Sequence, residues 1–277
     1  MRQVQGSVVC SQCGRLVGVS EEKCPFCGAW RPGLFGWATV LRRALGGRLD
    51  LFTLVGGACA TLYALALLMS VAGGEDILGR GLFSILSPGS IALYQLGMTG
   101  GFAWAQGWWL TVLTAMYLHG SLLHIGFNVY WIRNLGPGVT EVFGPGRAFL
   151  IFNIAGAGGF LVSNLMSGGP TIGASGGIFG LLAALIVYGR RRGSSTMTQQ
   201  LWGYAIMFAL FGFIMPGINN WAHGGGFAGG WIAAQLMSLD DDRQDSSWVM
   251  LTSLALIVLT LVGIGLSFVG VRGALLG

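Results

Sequence analysis

The sequence predicts an all-α polytopic membrane protein with seven transmembrane helices and a small metal-binding module before them. Of the 277 residues, 53% are hydrophobic and only 9% are charged, whereas soluble proteins average about 25% charged residues. Several apolar runs approach or exceed the ~18–20 residues that span a bilayer. Such runs are much longer than the ~11–12-residue helices of soluble proteins, which argues against a soluble fold with an apolar core.

Four cysteines mark residues 1–30 as a separate module. Cys10 and Cys13 form one CxxC pair, and Cys24 and Cys27 form a second pair further along the chain. Four thiolates at this spacing favour a structural zinc ion in a zinc ribbon. Disulfides would require an oxidising compartment, and redox switching of the two pairs is the remaining alternative. Basic and aromatic residues are few, so we expect no nucleic-acid binding and instead a docking role towards a cytosolic partner.

Seven apolar runs predict the transmembrane spans, which follow a basic linker at 31–49. The spans lie at about 51–72, 122–135, 148–166, 175–188, 201–215, 223–239 and 248–270. Residues 73–120 are too broken to span and hold Trp104, Trp108 and Trp109. They therefore predict short helices in the membrane interface. Between the second and third spans we expect a cytosolic turn at 136–146, which holds Glu141.

The arginines predict the orientation of the chain, because Lys and Arg are enriched on the cytoplasmic side of membrane proteins. With the N-terminus inside, two arginines flank the outer ends of spans, Arg80 and Arg272. The inner flanks hold Arg42, Arg43, Arg48, Arg133, Arg147, Arg190, Arg191, Arg192 and Arg243. This bias predicts a multi-pass protein of a plasma membrane, the inner membrane of a prokaryote, with a cytosolic N-terminus.

Three polar residues begin the spans that run from outside to inside. His124, Ser175 and His223 lie near the starts of spans two, four and six, so they face the same side. From Ser175 to the predicted span end at Tyr188, 14 residues give a helix of about 21 Å, shorter than the ~30 Å hydrocarbon layer. Ser175 is therefore expected below the outer surface, with residues 168–174 lining a water-filled cavity.

Small residues predict that two of these helices touch. Gly176 and Gly180 form one GxxxG pair, and Gly226 and Gly230 form another on the helix face of His223. Glycine faces let helix backbones approach closely in membranes, so the side chains of Ser175 and His223 are expected to meet. The alternative is that the glycines serve packing alone and that the serine and histidine are incidental.

The residue types present exclude some kinds of protease active site. There is no HExxH motif of a zinc protease, and no Asp or Glu occurs between Glu141 and Asp240. What remains is a dyad in which His223 acts as general base towards Ser175. His124 and Asn128, four residues apart on one helix face, are candidate oxyanion donors beside the Ser175 N–H. His119 is expected to hold the preceding loop by hydrogen bonding.

Three motifs together resemble the rhomboid family of intramembrane serine proteases. They are Gly173-x-Ser175-Gly176, Ala222-His223-x-x-Gly226-x-x-x-Gly230 and His119-Gly-Ser-Leu-Leu-His124-x-x-x-Asn128. The resemblance covers residues 50–240 and implies a six-helix rhomboid core that opens outward. It also implies a Ser175–His223 dyad, His124 and Asn128 at the oxyanion, and cleavage of membrane-protein substrates in or next to their transmembrane helices. Catalysis would need no cofactor, and zinc would be structural.

Several positions refine the resemblance. Phe179 lies where the family often has a tyrosine packed on the catalytic histidine, and Glu141 matches an acidic residue of the family. Trp108-Trp109-Leu110 lacks the arginine of the family's Trp-Arg pair in the first loop, so the anchoring of that loop is open. Two other functions compete with the protease: a catalytically inactive adaptor that binds membrane helices, and a transporter or channel.

Overall fold

The structure is a computed structural model that describes residues 4–10, 14–28, 30–33, 50–79, 81, 84–215, 217–237 and 245–276. Several predicted features lie outside the described residues: Cys13, most of the linker at 31–49, Arg80 and the acidic loop from Asp240 to Arg243. The contacts divide the chain into two compact units, Met1–Leu54 and Val55–Gly277.

The N-terminal unit is built on a small hairpin. Strands β1 (Ser7–Val9) and β2 (Leu16–Gly18) pair antiparallel, with Val8 opposite Val17. These two valines are buried together with Cys10 and Cys24. So small an apolar cluster is a weak source of stability by itself, since domains below about 40 residues usually need a disulfide, a metal or a partner.

Seven long helices account for most of the larger unit, as far as the chain is described. They are α1 (Leu51–Ala72), α5 (Leu122–Phe143), α6 (Pro145–Met166), α7 (Ser175–Arg191), α8 (Ser195–Ile214), α9 (Asn220–Leu236) and α10 (Ser247–Leu276). Helix α1 begins in the last residues of the N-terminal unit. Each predicted span overlaps one of these helices, and the last two residues of the span at 223–239 lie outside the described residues. The prediction of a mostly helical membrane protein is confirmed.

Four of the seven are long and apolar enough to cross a membrane by length and composition alone. These are α1, α6, α8 and α10 up to Ala274. Helices α7 and α9 have only 17 residues each, which is about 26 Å of helix. Of the seven long helices, the two shortest therefore carry Ser175 and His223.

The connection between α1 and α5 contains the short helices expected there. They are α2 (Ser90–Gln95), α3 (Gly101–Ala105), α4 (Thr111–Thr114) and a 3₁₀ turn at Ala115–Tyr117. An antiparallel bridge joins Thr99 of this connection to Thr171, in the loop before α7. The connection therefore lies against the loop that leads to Ser175.

The predicted cytosolic turn at 136–146 is wrong. Helix α5 continues through Pro137 to Phe143, and the chain turns only at Gly144, which has a φ of 88° that favours glycine. Pro145 then opens α6, a position where the missing N–H of proline costs nothing. Glu141 consequently lies in the last turn of α5, about 26 Å along the helix from His124, at the opposite end from the candidate site.

The end of α7 also lies further along the chain than predicted. The arginine cluster was expected to follow a helix that ended at Tyr188, but Arg190 and Arg191 form its last turn. Cations at a helix C-terminus interact favourably with the helix dipole. The guanidinium of Arg191 also donates to the carbonyls of Gln235 and Met237 at the end of α9, so the two helices are joined at this end.

The first turn of α6 is capped by a residue from a distant part of the chain. The Asp245 carboxylate, 7% exposed, accepts from the backbone N–H groups of Gly146 at 2.6 Å and Arg147 at 3.3 Å. It also pairs with Nε of Arg147 at 3.3 Å. These N–H groups have no acceptor inside α6. The Asp245 carboxylate, which lies two residues before the start of α10, supplies that acceptor.

Candidate active site

Ser175 is the first residue of α7 and is positioned by a loop with paired backbone. Gly173, with a φ of 120°, donates its N–H to the Ala115 carbonyl at 2.9 Å. Earlier in the loop, Thr171 donates to the Thr99 carbonyl at 2.9 Å. Because both N–H groups bind carbonyls of the connection between α1 and α5, that connection holds the loop before Ser175 in place.

His223 lies one turn into α9, with its Nε2 atom 2.8 Å from Oγ of Ser175. The Nδ1 atom of His223 is buried, and no described residue hydrogen-bonds to it. For Ser175 to donate its proton to Nε2, the neutral imidazole must carry its own proton on Nδ1. The pair therefore has the contact that general-base activation requires, without a carboxylate behind the histidine.

An aromatic ring orients His223 in place of a carboxylate. Phe179, one turn after Ser175, stacks on the imidazole with ring centroids 4.5 Å apart and planes inclined by 24°. Phe208 of α8 contacts Phe179 edge-to-face, with ring centroids 6.1 Å apart. The stacking limits rotation of the imidazole, so that Nε2 remains directed at Ser175.

Glycines bring α7 and α9 into backbone contact. A Cβ atom added to Gly226 would lie 2.3 Å from the Gly176 carbonyl oxygen, and one added to Gly230 would lie 2.2 Å from Cα of Gly180. Gly159 of α6 approaches the same helix, since its Cβ would lie 2.4 Å from the carbonyl oxygen of Ala222. No side chain fits at these positions, and this is why the helices come close enough for the serine and histidine to touch.

His124 lies against the loop that precedes Ser175. Its Nδ1 atom accepts from the Gly120 N–H at 3.3 Å, which leaves the proton of the neutral ring on Nε2. A Cβ atom added to Gly173 would lie 2.6 Å from that Nε2 atom. His124 thus presents an N–H donor two residues before Ser175, and Gly173 leaves room for it.

Asn128 is one turn further along α5 and is 1% exposed. One hydrogen of its Nδ2 atom is used on the His124 carbonyl at 2.8 Å, which leaves the second hydrogen available. Its Oδ1 atom is buried without a hydrogen-bond partner in the described part of the chain.

His119 is completely buried and interacts with the backbone of Tyr117, in the loop that it was expected to hold. Its hydrogen bonding to that loop stays a prediction. Its ring also lies edge-to-face with His124, with centroids 5.0 Å apart. It therefore supports the position of His124 through packing.

Sequence reasoning missed Asn219, which caps α9. Its Oδ1 atom accepts from the N–H groups of Trp221 at 3.1 Å and Ala222 at 3.2 Å. Its Nδ2 atom donates to Oγ of Ser163 at 2.6 Å and to Oγ1 of Thr171 at 2.9 Å. Asn219 therefore connects the start of the His223 helix to the Ser175 loop. Its place just before a helix is the signal that could have identified it.

In the N-terminal unit, Cys10, Cys24 and Cys27 form a cluster that could hold a metal ion. Their sulfur atoms all lie within 4.8 Å of one another, and those of Cys10 and Cys27 are 3.8 Å apart. A disulfide requires about 2.05 Å, whereas tetrahedral zinc with Zn–S bonds of about 2.3 Å separates its sulfurs by about 3.8 Å. The three thiols therefore fit a metal site better than a disulfide.

Together, the fold and the site define a helical membrane protein in which a serine at a helix start contacts a half-buried histidine of a neighbouring helix. Comparison with known proteins agrees with this class. A family model described as Rhomboid domain matches residues 106–240, a range that contains Ser175, His223, His124 and Asn128. The range excludes the cysteine module and α10.

Curated relatives point to the same family. The chain is 36% identical to Rhomboid protease GluP of Bacillus subtilis over 138 residues, which cover 49% of this chain and 27% of that protein. It is 30% identical to RHOMBOID-like protein 4 of Arabidopsis thaliana over 192 residues, 63% of this chain and 46% of the relative. The chain is also 30% identical to Rhomboid-type serine protease 2 of Emericella nidulans over 130 residues, which cover 44% of this chain and 25% of that protein.

These matches show that residues 106–240 are similar to a rhomboid domain. The chain spans between about a quarter and a half of the length of these relatives.

Proposed function

We propose that this protein is an intramembrane serine endopeptidase that cleaves peptide bonds in or next to transmembrane helices of other membrane proteins. The observation that carries the proposal is the 2.8 Å contact between Oγ of Ser175 and Nε2 of His223. The similarity to named rhomboid proteases supports the same activity. Intramembrane ionisable residues are costly and are by default functional candidates.

In the first half of the reaction, Oγ of Ser175 attacks the carbonyl carbon of the scissile bond while Nε2 of His223 takes the serine proton. The carbonyl oxygen becomes an oxyanion. When the C–N bond breaks, His223 returns its proton to the leaving amine, and an ester remains on Ser175. Water then attacks the ester, with His223 first accepting the water proton and finally returning a proton to Oγ.

Three donors are proposed to stabilise the oxyanion. The Ser175 N–H is at the first position of α7, where no carbonyl of the same helix accepts it. His124 offers its Nε2–H beside Gly173, and Asn128 offers its second Nδ2 hydrogen. Donors fixed before the reaction begins cost no reorganisation in the transition state.

The direction of the chain in the membrane is also a proposal. Arg190 and Arg191 in the last turn of α7 favour a cytosolic position for this end of the helix. Ser175 lies at the opposite end of α7, so the site is proposed to open to the outside of a prokaryotic inner membrane. Residues 168–174 would then face water rather than lipid.

For the cysteine module we propose a structural zinc ion held by Cys10, Cys13, Cys24 and Cys27, with a docking role towards a cytosolic partner. One backbone hydrogen bond recurs in the two knuckles: Gly14 donates to the Cys10 carbonyl and Gly28 to the Cys24 carbonyl. Zinc would cross-link a unit whose apolar cluster is small. Metal analysis of the purified protein should find about one zinc per chain. Zinc-free protein with oxidised cysteines would contradict the assignment.

The protease is tested with a reporter transmembrane helix in liposomes. Ser175→Ala and His223→Ala should each abolish cleavage, because one removes the nucleophile and the other its base. Ser195→Ala is the matched control, since Ser195 is the exposed first residue of α8 and should leave the rate unchanged.

Cleavage that persists in folded Ser175→Ala protein would overturn the dyad. A wild-type protein that binds the helix without cleaving it, even when many substrate sequences are offered, would favour the inactive adaptor.

A further inference from the structure

Helix α10, which lies outside the matched domain, is buried along one narrow face. Its buried positions are Thr260, Gly263, Ser267 and Val271, which recur every three to four residues and so lie on one side of the helix. Most of its remaining side chains are exposed. This single face must therefore contact other parts of the protein.

The face packs on the segment around α4 through two glycines. A Cβ atom added to Gly263 would lie 2.9 Å from Cβ of Leu110 and 2.9 Å from Cγ2 of Thr114. One added to Gly270 would lie 2.8 Å from ring carbons of Trp108. The obstructing atoms are a Cβ, a branched methyl and a rigid indole, so they leave little room for adjustment.

A neighbouring residue extends this contact into the apolar core. Ile264 packs against a cluster of buried residues formed by Ala66, Leu93, Leu96, Met98 and Leu118. Ile172, three residues before Ser175, packs against the same cluster. Helix α10 and the loop before Ser175 are therefore in contact with one set of side chains.

A short path of contacts leads from α10 to the nucleophile. Thr114, which meets Gly263, precedes Ala115, and the Ala115 carbonyl accepts the Gly173 N–H at 2.9 Å. Gly173 lies against His124 and stands two residues before Ser175. Displacing the α4 segment would thus displace the Gly173 backbone, which positions Ser175 and lies beside the Nε2–H donor of His124.

We propose that α10 is a positioning element for the active site, and that Gly263 and Gly270 are its positioning residues. It holds residues 108–115 in place and, through them, the Gly173 backbone. The sequence Trp108-Trp109-Leu110 lacks the arginine expected in the first loop, and packing of Trp108 and Leu110 on α10 anchors that loop instead. The inference rests on the proposed protease function and adds a part of the chain beyond residues 106–240.

The test uses alanine variants at four glycines of α10. Gly263→Ala and Gly270→Ala place a methyl group against the α4 segment. Gly265→Ala and Gly273→Ala are matched controls, since nothing lies within 4 Å of a Cβ atom at either position. Alanine is a better helix former than glycine, so the controls should be neutral.

Reporter cleavage is measured as kcat and KM, with kcat expressed per Ser175 that reacts with a fluorophosphonate. We expect Gly263→Ala and Gly270→Ala to lower kcat by about 10-fold or more, because small displacements at a reaction centre cost up to ~10²-fold, with KM nearly unchanged. A loss of folded protein would lower the number of reactive serines and leave kcat per serine unaltered. The double variant Trp108→Phe/Gly270→Ala, which reopens space, should recover part of the loss.

A second measurement is independent of activity. Hydrogen exchange of the amides at 108–115 and of Gly173 should accelerate in Gly263→Ala and Gly270→Ala but not in the two controls. Equal exchange and equal kcat in all four variants would overturn the proposal and make α10 a peripheral helix. If wild-type Ser175 never reacts, the protease proposal fails, and the exchange data still decide whether α10 fixes the loop.

Discussion

Helices α7 and α8 pack against their neighbours in opposite ways. Helix α7 meets α9 through glycines, with backbone against backbone at Gly176 and Gly180. Helix α8 is mostly exposed and meets α5 through aromatic side chains, among them Phe208 against Trp131 with ring centroids 4.6 Å apart. The first interface carries the serine and histidine, and the second carries neither.

The difference lies in how much each interface can adjust. Aromatic side chains can repack by rotating about their side-chain torsions, whereas two backbones in contact have no such freedom. In a membrane, association depends on packing rather than on a hydrophobic driving force between helices. The glycine interface therefore fixes the distance between Ser175 and His223, and the aromatic interface tolerates change.

The largest expected effect comes from filling the glycine interface. Gly230→Leu should abolish cleavage and lower the yield of folded protein, because its side chain would overlap the Gly180 backbone. Two glycines with nothing within 4 Å of an added Cβ serve as controls, Gly224 on α9 and Gly203 on α8. Leucine at either control position should leave cleavage within about two-fold of wild type, given that exposed sites tolerate most changes.

Both folded yield and reporter cleavage are measured for the three variants. Equal loss at Gly230 and Gly224 would mean that any large residue on α9 is harmful, and the comparison between the two interfaces would fail.

The next effect is expected at Asn128, which lies on α5. Asn128→Ala should lower the cleavage rate by about 10²–10³-fold, since this is the usual cost of losing one oxyanion donor, while the melting temperature stays nearly the same. Asn134→Ala is a close control. Asn134 makes the same bond to the carbonyl four residues earlier, at 2.7 Å, but is exposed.

The reporter assay and thermal unfolding in detergent separate the two outcomes. A normal rate in Asn128→Ala would remove this residue from the oxyanion site, and an equal loss in Asn134→Ala would indicate an effect on α5 as a whole.

The smallest effect is expected in the aromatic interface. Phe208→Leu removes ring contacts with Trp131 and Phe179 but keeps apolar volume. Each aromatic pair contributes about 0.5–1.5 kcal/mol, so a small decrease in thermal stability and a cleavage rate within about three-fold of wild type are expected. Loss of cleavage as large as that in Gly230→Leu would show that α8 fixes the dyad as firmly as α9 does.

Sequence alone predicted the features that depend on composition and on helix periodicity. Apolar runs located the long helices, and the glycine spacing around Ser175 and His223 led to the expectation that α7 and α9 touch. Helix ends were less accurate, because Pro137 and the arginines after Tyr188 look like terminators yet lie inside helices. A proline in a membrane helix is tolerated when neighbours satisfy the freed backbone groups.

Contacts between distant parts of the chain were not accessible from the sequence. Asn219 resembles an ordinary residue of a turn until its Nδ2 atom is seen to bind Ser163 and Thr171. Likewise, Gly263 and Gly265 cannot be told apart by sequence, because the difference lies in the presence of Leu110 and Thr114 beside only one of them. Such contacts depend on the tertiary arrangement and have no local pattern.

The cap that Asp245 places on α6 has a consequence for biosynthesis. Asp245 follows Gly146 by 99 residues, so at ribosomal rates of ~5–20 residues per second it emerges about 5–20 s later. Throughout this interval, the first turn of α6 has to find other hydrogen-bond partners, such as water or lipid headgroups. Its final capping therefore comes after α9 has been made, so a residue that is synthesised late secures a helix that is synthesised earlier.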